Sequence, residues 1–377
     1  MKKYKLAIIG YGGFGQFLHH CWSINPAVQL VAVADLKPPQ PVDPQIHYYS
    51  DWRELLTDPA IDIVAIATPP ASHVEIALEA IRQHKSVILE KPIAITIDSA
   101  RALKTACQRS SSIVVADFML RFNPLVRLLK SWTDSMAFGR LRRVIIENYA
   151  QDESLPVEHW FWDKQQSGGI LIEHGVHFID LVNYISGARP SEISGVRIKR
   201  NQRQEDQVLA TIGYENGTIA THYHDFSRPG FFESTSQKFI FDLAEVELTG
   251  WIPLAGSVKA LVNGTTVELV RNLPGFGSDG IVPIWDLKDD SRPAGWGQPA
   301  NDRPAGPETV TSGGQNYAVT DQISGNFHLR QTKQEAYSQA LNAVLADVIE
   351  SIGNPRHRPF ITIDEALLSL EIAAAAS

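Results

Sequence analysis

The stretch KLAIIGYGGFG, residues 5–15, decides the fold. Its first five residues are almost wholly apolar, which predicts a buried strand, and glycines follow at 10, 12 and 15. In such a GxGxxG turn the first glycine permits the bend, the second lets a pyrophosphate approach the backbone, and the third packs helix against strand. The stretch therefore predicts a dinucleotide-binding turn. Taken alone, the motif also fits a glycine-containing structural turn.

Asp35 strengthens the dinucleotide prediction. It ends the next apolar run, 20 residues after Gly15, where a carboxylate accepts the hydroxyls of an adenosine ribose. A carboxylate about 4 Å from a ribose phosphate meets a repulsion of a few kcal/mol, which predicts NAD as the cofactor. Lys37 offsets part of that repulsion, so NADP remains an alternative cofactor. The structural alternative is that Asp35 is a capping aspartate in a surface loop.

The N-terminal third alternates short apolar runs with amphipathic segments. This pattern predicts an α/β Rossmann domain, a doubly wound parallel sheet over residues 1–122. We expect strands at 5–9, 30–34, 63–67, 86–89 and 112–116. Helices are expected over 98–109 and after Ser72, with Glu75 completing a capping box. The second of these is expected to bury Val74, Ala77, Leu78 and Ile81.

The remaining residues, 123–377, have a different texture. Successive β-rich stretches predict an α+β domain with a large, mostly antiparallel sheet, its strands at 141–149, 192–199, 207–214, 218–226 and 238–248. Residues 274–314 are rich in proline and glycine but contain Trp285 and Trp296, which favours an ordered arm over a disordered linker. Two helices are expected at the end, the second capped by Thr362 and Glu365.

Composition excludes several classes of protein. A net charge of -8 over 377 residues gives no basic surface for nucleic acid. The two cysteines, Cys21 and Cys107, fit neither a disulfide framework nor a thiolate zinc site, which predicts a cytoplasmic protein. The apolar run after the initial lysines is too short for a signal peptide or a membrane span, so no membrane partner is expected.

Glu90-Lys91-Pro92 closes the run 86–89 and places an ammonium group at a strand end, beside the expected cofactor. Oxidation of a secondary alcohol needs a base for the hydroxyl proton and a positive charge for the developing alkoxide. Lys91 supplies the charge in this interpretation. Its structural alternative is an exposed lysine after a strand.

A helix after Gly169 supplies the base. Glu173, His177 and Asp180 fall on one helix face, because they are spaced four and three residues apart. With an ordinary pKa near 6.5, His177 is a competent base around neutrality, and a carboxylate on this face could orient it. We therefore predict Lys91 and His177 as the catalytic pair, with Glu173 orienting.

These motifs together resemble the Gfo/Idh/MocA family of glucose-fructose oxidoreductases and inositol dehydrogenases, over nearly the whole chain. The resemblance implies a Rossmann domain followed by an α+β domain, NAD(P)-dependent chemistry, and a histidine base at His177. It rests on GYGGFG, Asp35, Asp62-Ile63-Val64, Ala67-Thr68-Pro69, His73, Glu90-Lys91-Pro92, Arg121-Phe122-Asn123-Pro124, Ser167-Gly168-Gly169, Glu173, Gly175, His177 and Asp180. It implies cofactor contacts from Gly10, Gly12, Gly13, Phe14, Gly15, Asp35, Thr68, Pro69, His73, Glu90 and Lys91.

The chain departs from the family at Glu173, where aspartate is usual. The extra methylene leaves three roles open: holding His177, binding a substrate hydroxyl, or a solvated helix residue. Arg121 and Asp180 match positions that line the family's substrate pocket, although Asp180 also fits a helix cap or an ion pair. Trp162 belongs to an aromatic cluster that would either stack on a sugar ring or lie in the core.

No metal site is expected. His174 with Glu173 and His177 lacks the HExxH spacing of a zinc helix. His222 and His224 alternate on one strand face with no evident third ligand, which favours a half-exposed interface sheet.

The predicted function is hydride transfer between NAD(P) and a secondary hydroxyl of a sugar, sugar derivative, polyol or cyclitol. Two alternatives remain: an NAD-dependent glycosidase of the same family, and a non-catalytic NAD(P)-binding regulator, against which the retention of Lys91 and His177 argues. The open sheet of the second domain predicts a homodimer or homotetramer.

Overall fold

The structure is a computed structural model that describes residues 3–38, 44–284 and 308–377. Its N-terminal sheet has six parallel strands in the order β3-β2-β1-β4-β5-β6. The predicted Rossmann architecture is thereby confirmed. The elements are β1 (Tyr4–Ile9), α1 (Gly13–Trp22), β2 (Val28–Ala34), β3 (His47–Tyr49), α2 (Trp52–Thr57), β4 (Ile63–Ile66), α3 (His73–Arg82), β5 (Ser86–Leu89), α4 (Ile97–Gln108) and β6 (Val114–Ala116).

The start of α3 differs from the prediction. The Ser72 hydroxyl donates to Thr68 Oγ1 at 2.7 Å and to the Pro69 carbonyl at 2.9 Å, so it makes no capping box with Glu75. The buried face of the helix is formed by His73, Ile76, Ala77, Ala80 and Ile81, whereas Val74 and Leu78 are half-buried. Ser72 therefore stabilises the turn that precedes α3 and does not cap the helix.

The second sheet has nine strands in the order β14-β17-β13-β12-β11-β7-β10-β9-β8 and is antiparallel except between β7 and β10. Its predicted class is confirmed. The elements are α5 (Pro124–Ser135), β7 (Leu141–Gln151), α6 (Lys164–Ser167), a π-helical turn (Leu171–Gly175), α7 (Val176–Ser186), β8 (Pro190–Lys199), β9 (Glu205–Tyr214), β10 (Ile219–Arg228), β11 (Ser234–Phe241), β12 (Ala244–Thr249), β13 (Ala255–Val262), α8 (Thr266–Arg271), β14 (Gly277–Pro283), β15 (Glu308–Ser312), β16 (Gln315–Val319), β17 (Asp321–His328), α9 (Lys333–Gly353) and α10 (Ile363–Ala376). Single 3-10 turns lie at Pro70–Ser72, Met119–Phe122, Trp160–Trp162 and Gly230–Phe232.

The prediction of one strand over 238–248 is wrong, because the chain turns back at Asp242 and forms β11 and β12. The Asp242 carboxylate accepts hydrogen bonds from the Arg140 amide and from Arg142 Nε, both at 2.7 Å, and these bonds hold the turn. The flanks of the 274–314 segment are strands β14 and β15. Its central part, with Trp285 and Trp296, lies outside the described residues.

The parallel pair β7 and β10 determines where the helix that carries His177 lies. Parallel neighbours require a crossover connection, and here that connection carries the π-helical turn and α7. The helix packs on the inner face of the sheet with Phe178, Ile179 and Val182 buried. Glu173 and His177 thereby approach the carboxyl ends of the Rossmann strands.

The last two helices return to the first sheet's side of the molecule. Trp22 Nε1 of α1 donates to the Leu341 carbonyl of α9 at 3.3 Å, and α10 packs against α4 and α7. Both helices have capping boxes, so the one predicted at Thr362 and Glu365 is confirmed. The domain boundary near residue 122 stays a prediction, because helices from beyond it complete the surface of the N-terminal domain.

Candidate active site

The glycine turn is tightly packed at its first and third glycines and open between them. A Cβ on Gly10, whose φ is +89°, would lie 2.6 Å from the Ala67 carbonyl, and one on Gly15 would lie 2.0 Å from the Gly10 oxygen. Nothing lies within 4 Å of the equivalent position on Gly12 or Gly13. The first and third glycines are thus fixed by packing, whereas the middle of the turn faces open space at the start of α1, where a pyrophosphate is held.

Asp35 faces a cavity of about 360 Å³ at the end of β2. Its carboxylate accepts hydrogen bonds from the Tyr11 amide at 2.7 Å and the Lys37 amide at 3.2 Å. These bonds hold the anionic group against the glycine turn. The cavity is lined by Ile9, Gly10, Gly12, Ala34, Asp35, Leu36, Ser50, Trp52, Ala67, Thr68, Pro69, Ser72 and Ile76. An apolar slot closed by a fixed carboxylate fits the adenosine half of a dinucleotide.

His73 lies beneath the cofactor turns and does not line the cavity beside Asp35. It is 1% exposed, and its ring nitrogens lie 2.7 Å from the Pro92 carbonyl and 2.8 Å from the Thr68 carbonyl. The imidazole therefore joins the loop after β4 to the loop after β5. Its contribution to a cofactor site is to position Thr68 and Pro92.

Lys91 and Glu173 form the polar centre of the site. The ammonium donates at 2.8 Å both to Glu173 Oε1 and to the Glu173 carbonyl, and the two side chains are only 14% and 13% exposed. Burial opposes ionisation of Glu173, but Lys91 and His174 outweigh it and lower the pKa of this carboxyl. The result is an ordered ion pair across the two domains, with a cation at the carboxyl end of β5.

Glu90 is half-buried beside Lys91. Burial raises its pKa well above the usual value, and the neighbouring Asp117 raises it further; burial also raises the pKa of Asp117 to about 6. The two carboxyls end the adjacent strands β5 and β6. Asp117 was not singled out from the sequence, because only strand pairing brings it beside Glu90.

His177 has one ring nitrogen available for chemistry. It is 8% exposed, and Nδ1 is buried without a hydrogen-bond partner among the described residues, which leaves Nε2. Burial lowers the pKa of His177 well below its ordinary value, and the charges of Lys91 and His174 lower it further. A neutral imidazole close to an ammonium suits a general base.

Glu173 does not orient His177 in this structure. Its carboxylate is paired with Lys91, and the ring of His177 is instead packed 5.5 Å from Trp251 and 6.3 Å from Phe118, measured between ring centroids. The glutamate side chain, one methylene longer than aspartate, extends from the π-helical turn to Lys91 at the end of β5. Trp251 was missed in the sequence, because it follows a segment read as one continuous strand.

Arg121 and Asp180 form a structural cross-link, contrary to the substrate contact predicted for them. Arg121 Nε and Nη2 donate to the two Asp180 oxygens at 2.8 and 2.7 Å, and Nη1 donates to Glu365 at 2.7 Å. Each of the pair is 1% exposed. Every nitrogen of the guanidinium is thus engaged within the protein, and neither side chain has a surface for a substrate.

Trp162 lies in an aromatic cluster, so the core alternative describes it better than sugar stacking. Its indole donates to the Leu155 carbonyl at 3.1 Å, and its ring contacts Phe161, Phe226 and the Arg200 guanidinium. The side chain is 8% exposed and lines a smaller cavity of about 210 Å³. Neither Lys91 nor His177 is among the residues that line this cavity.

His222 and His224 are fully buried on the inner face of β10, so the expectation of a half-exposed face is wrong. They lie beneath His174, whose ring centroid is 5.4 Å from that of His224. Within residues 3–38, 44–284 and 308–377, no group of three or more histidine, cysteine or acidic residues has the geometry to hold a metal. The same ranges contain no helix long and apolar enough to cross a membrane.

Comparison with known proteins finds dehydrogenases among the relatives of this chain. The chain is 27% identical over 227 residues to the scyllo-inositol 2-dehydrogenase (NAD(+)) of Bacillus subtilis, covering 56% of this chain and 64% of that protein. It is 34% identical over 200 residues to the levoglucosan dehydrogenase of Pseudarthrobacter phenanthrenivorans, covering 46% of this chain and 51% of that one. The chain thus spans between half and two thirds of the length of these relatives.

Solved structures share the whole fold. The crystal structure of GenD2 from gentamicin A biosynthesis, in complex with NAD, superposes with a TM-score of 0.70 at 20% identity, over 100% of this chain and 93% of that one. Two family models also match: the oxidoreductase family, NAD-binding Rossmann fold, at residues 4–118, and the GFO/IDH/MocA C-terminal domain at residues 126–237. With both domains matched in order, the chain belongs to the Gfo/Idh/MocA family of NAD-binding oxidoreductases.

Proposed function

We propose that this protein is an NAD-dependent oxidoreductase that transfers a hydride between the cofactor and a secondary hydroxyl of a sugar, sugar derivative, polyol or cyclitol. The observation that carries the proposal is the pairing of an anchored ammonium, Lys91, with a neutral buried imidazole, His177, at the carboxyl edge of the dinucleotide-binding sheet. The relatives named above act, by their names, on scyllo-inositol and levoglucosan.

The residues fit NAD, which when bound supplies a hydride acceptor at its nicotinamide ring. Gly12 and Gly13 leave open space that would take the pyrophosphate, and the carboxylate of Asp35 would accept hydrogen bonds from the ribose hydroxyls and repel the additional phosphate of NADP. Lys37 donates through its amide to this carboxylate. NAD is accordingly the cofactor we propose, with NADP as the weaker ligand.

The polar steps follow from the two side chains. His177 accepts the hydroxyl proton at Nε2, and the Lys91 ammonium stabilises the negative charge that develops on the alcohol oxygen. Glu173 accepts two hydrogen bonds from Lys91 and so fixes the position of the ammonium group. Trp251 covers one side of the imidazole and limits access of water.

The test is a screen of purified protein with NAD or NADP against sugars, sugar acids, inositols and aryl glycosides, followed by the absorbance of reduced nicotinamide. Steady cofactor reduction with one compound supports the proposal and names the substrate class. Cleavage of an aryl glycoside without net reduction would replace it with the glycosidase alternative. Cofactor binding with neither reaction would favour the regulator.

Variants assign the roles. With the substrate found, Lys91→Ala and His177→Ala are each expected to lower kcat by about 10²- to 10⁴-fold, because each removes a group that acts in the transition state. His84→Asn changes an exposed histidine at the opposite edge of the sheet and is the control. Near-normal turnover in either active-site variant, with normal cofactor affinity, would show that the assignment is wrong.

We further propose a cytoplasmic homodimer or homotetramer formed through the second sheet. Support comes from exposed apolar side chains at this sheet, Val196, Ile198 and Ile219, which are 58%, 52% and 47% exposed, and from two free cysteines. Light scattering on the purified protein tests the assembly, and a monomer at micromolar concentration would contradict it.

A further inference from the structure

The smaller cavity beside Trp162 lies at the start of the segment that carries Glu173. Gly169 lines it, and the Gly169 carbonyl accepts a hydrogen bond from the Glu173 amide at 2.8 Å. The other walls come from α6, from the end of β8 and from the beginning of β9. His177 follows Gly169 by eight residues, which is about 12 Å along a helix. The cavity therefore lies outside the centre formed by Lys91 and His177.

The lining of this cavity is mainly cationic. Lys164, Lys199 and Arg203 contribute positive charges, and Glu205 contributes the one carboxylate. The Lys164 ammonium is paired with Glu205 Oε1 at 2.9 Å. In the part of the chain that the structure describes, Lys199 and Arg203 have no ion pair. Two cations without counter-charges at one small concave surface favour an anionic ligand.

Glu205 adds an acceptor at the wall of the cavity. The residue is 8% exposed, and its Oε2 atom is buried without a hydrogen-bond partner among the described residues. Buried carboxylate oxygens are normally paired with a donor, because a buried acceptor without one costs free energy. A ligand hydroxyl at this wall would supply the donor. The carboxylate thus favours a ligand that carries hydroxyl groups as well as a negative charge.

The cavity is small and its walls are ordered. In the turn between β8 and β9, Asn201 Oδ1 accepts hydrogen bonds from the amides of Arg203 and Gln204, both at 2.9 Å. Phe161 and Trp162 are buried and give the cavity an apolar floor. Its volume of about 210 Å³ is below the roughly 300–1,000 Å³ that holds a drug-sized ligand. A ligand of about one sugar ring suits this space.

We propose that this cavity is a binding site for a small hydroxylated anion, a sugar acid or a sugar phosphate, apart from the centre formed by Lys91 and His177. Lys199 and Arg203 bind the carboxylate or phosphate group of the ligand. Glu205 accepts a hydrogen bond from one of its hydroxyls. The site is distinct from the one where hydride transfer is proposed, so the inference does not rest on that function.

Calorimetry on the purified protein tests the site with five probes: D-gluconate, D-glucose 6-phosphate, the bare anions acetate and inorganic phosphate, and D-glucose. Lys199→Gln and Arg203→Gln are compared with wild type. Arg197→Gln is the matched control, because it removes an exposed charge from the same strand β8 and does not line the cavity. We expect gluconate or glucose 6-phosphate to bind wild type and control alike, and to bind each of the other two variants about 5- to 30-fold more weakly. The tighter of the two probes identifies the anionic group.

Glu205→Gln tests the hydroxyl contact. The substitution removes the anionic acceptor and leaves the three cations in place. The preference of the protein for the hydroxylated anion over its bare anion should therefore narrow by about fivefold or more. Melting of the ligand-free variant checks folding. If this variant does not fold, the Lys199 and Arg203 variants, both at exposed positions, still decide whether the site exists.

Each contrary outcome has a distinct meaning. Unchanged affinity in Lys199→Gln and Arg203→Gln, or no binding of any probe by wild type at millimolar concentration, would overturn the site. Equal affinity for a bare anion and its hydroxylated counterpart would overturn the hydroxyl contact, and equal affinity for D-glucose would overturn the preference for an anion. Binding that is lost in His177→Ala but kept in the two cavity variants would place the ligand at the proposed catalytic centre. That result would overturn the inference and leave the proposed function standing.

Discussion

The imidazole of His177 has no carboxylate partner in the described part of the chain, and its protonation is governed by burial. Its Nδ1 is sealed from solvent and its pKa is lowered, first by desolvation and then by Lys91 and His174. A catalytic histidine held by a carboxylate would instead have a raised pKa. The base is therefore ready to accept a proton at pH values where an ordinary histidine is already charged.

This gives a pH prediction for the free enzyme. Because the pKa of His177 lies below 6.5, the imidazole stays neutral as the pH falls to that value. The value of kcat/KM for alcohol oxidation should therefore decrease only below pH 6.5. Rates measured from pH 5 to 9 with the identified substrate test this. An acid limb centred at pH 7 or above would contradict the burial argument.

Single residues also show where sequence reasoning ends. Lys91 and His177 were predicted as site residues because each belongs to a motif of fixed spacing. Their surroundings were not, since the partner of Glu173 is 82 residues away in the chain and Trp251 reaches His177 through a turn between strands. Arg121 and Asp180 were each predicted, by resemblance, to line a substrate pocket, and only packing reveals that they bind each other.

At the scale of elements, the glycine turn between β1 and α1 contains one glycine that folding requires and another that cofactor binding requires. A Cβ at position 15 would lie 2.0 Å from the Gly10 oxygen, whereas position 12 faces open space. Gly15→Ala is therefore expected to destabilise the protein by about 1–3 kcal/mol or more through overpacking. Gly12→Ala should leave the melting temperature unchanged while NADH affinity falls about tenfold or more, because its methyl group occupies the pyrophosphate position. Calorimetry and a binding titration read out both, and a folding defect in Gly12→Ala would refute this separation.

Strand β10 and the π-helical turn packed on it supply a second prediction at this scale. Burial lowers the pKa of His222 to about 3, that of His174 to about 4, and that of His224 well below its ordinary value. The unfolded chain takes up protons near pH 6.5, so the stabilisation is complete above that pH and is lost as pH falls towards 4 and 3. At pH 5 each of His222 and His174 costs roughly 2 kcal/mol.

Unfolding midpoints at pH 7 and pH 5 measure this loss. His222→Leu removes one proton-binding site and should show a smaller decrease between the two pH values than wild type, whatever its stability at pH 7. Equal decreases in the two proteins would show that His222 does not contribute. His84→Asn, at an exposed position, controls for the loss of a histidine as such.

Across the whole molecule, Arg121 is the charge that joins three segments. It follows β6, and it binds Asp180 of α7 and Glu365 of α10. Asp180→Asn should destabilise the protein by about 3–5 kcal/mol, because a buried guanidinium loses its main counter-charge. The double variant Arg121→Met/Asp180→Leu should recover much of that loss, since it buries no unpaired charge. Denaturant midpoints give the comparison, and additive losses would contradict the cross-link.

The order of the two domains and both sheet types could be predicted, because apolar periodicity and turn residues are local signals. What could not be predicted was non-local. β3 has only three residues, the turn at Asp242 is stabilised by arginines about 100 residues earlier, and the parallel partnership of β7 and β10 leaves no pattern in either strand. The departures therefore concentrate where distant segments meet.

The return of α9 and α10 onto the first domain has a consequence for the newly made chain. Trp22, Asn25 and Arg101 of the N-terminal domain all find partners beyond residue 340, namely Leu341, Asn342 and Glu371. While the nine-stranded sheet is still being translated, α1 and α4 of the first domain lack the helices α9 and α10 that pack on them. The first domain must wait for more than two hundred further residues before that surface is closed. The last helices to be made are therefore the ones that complete the surface of the first domain.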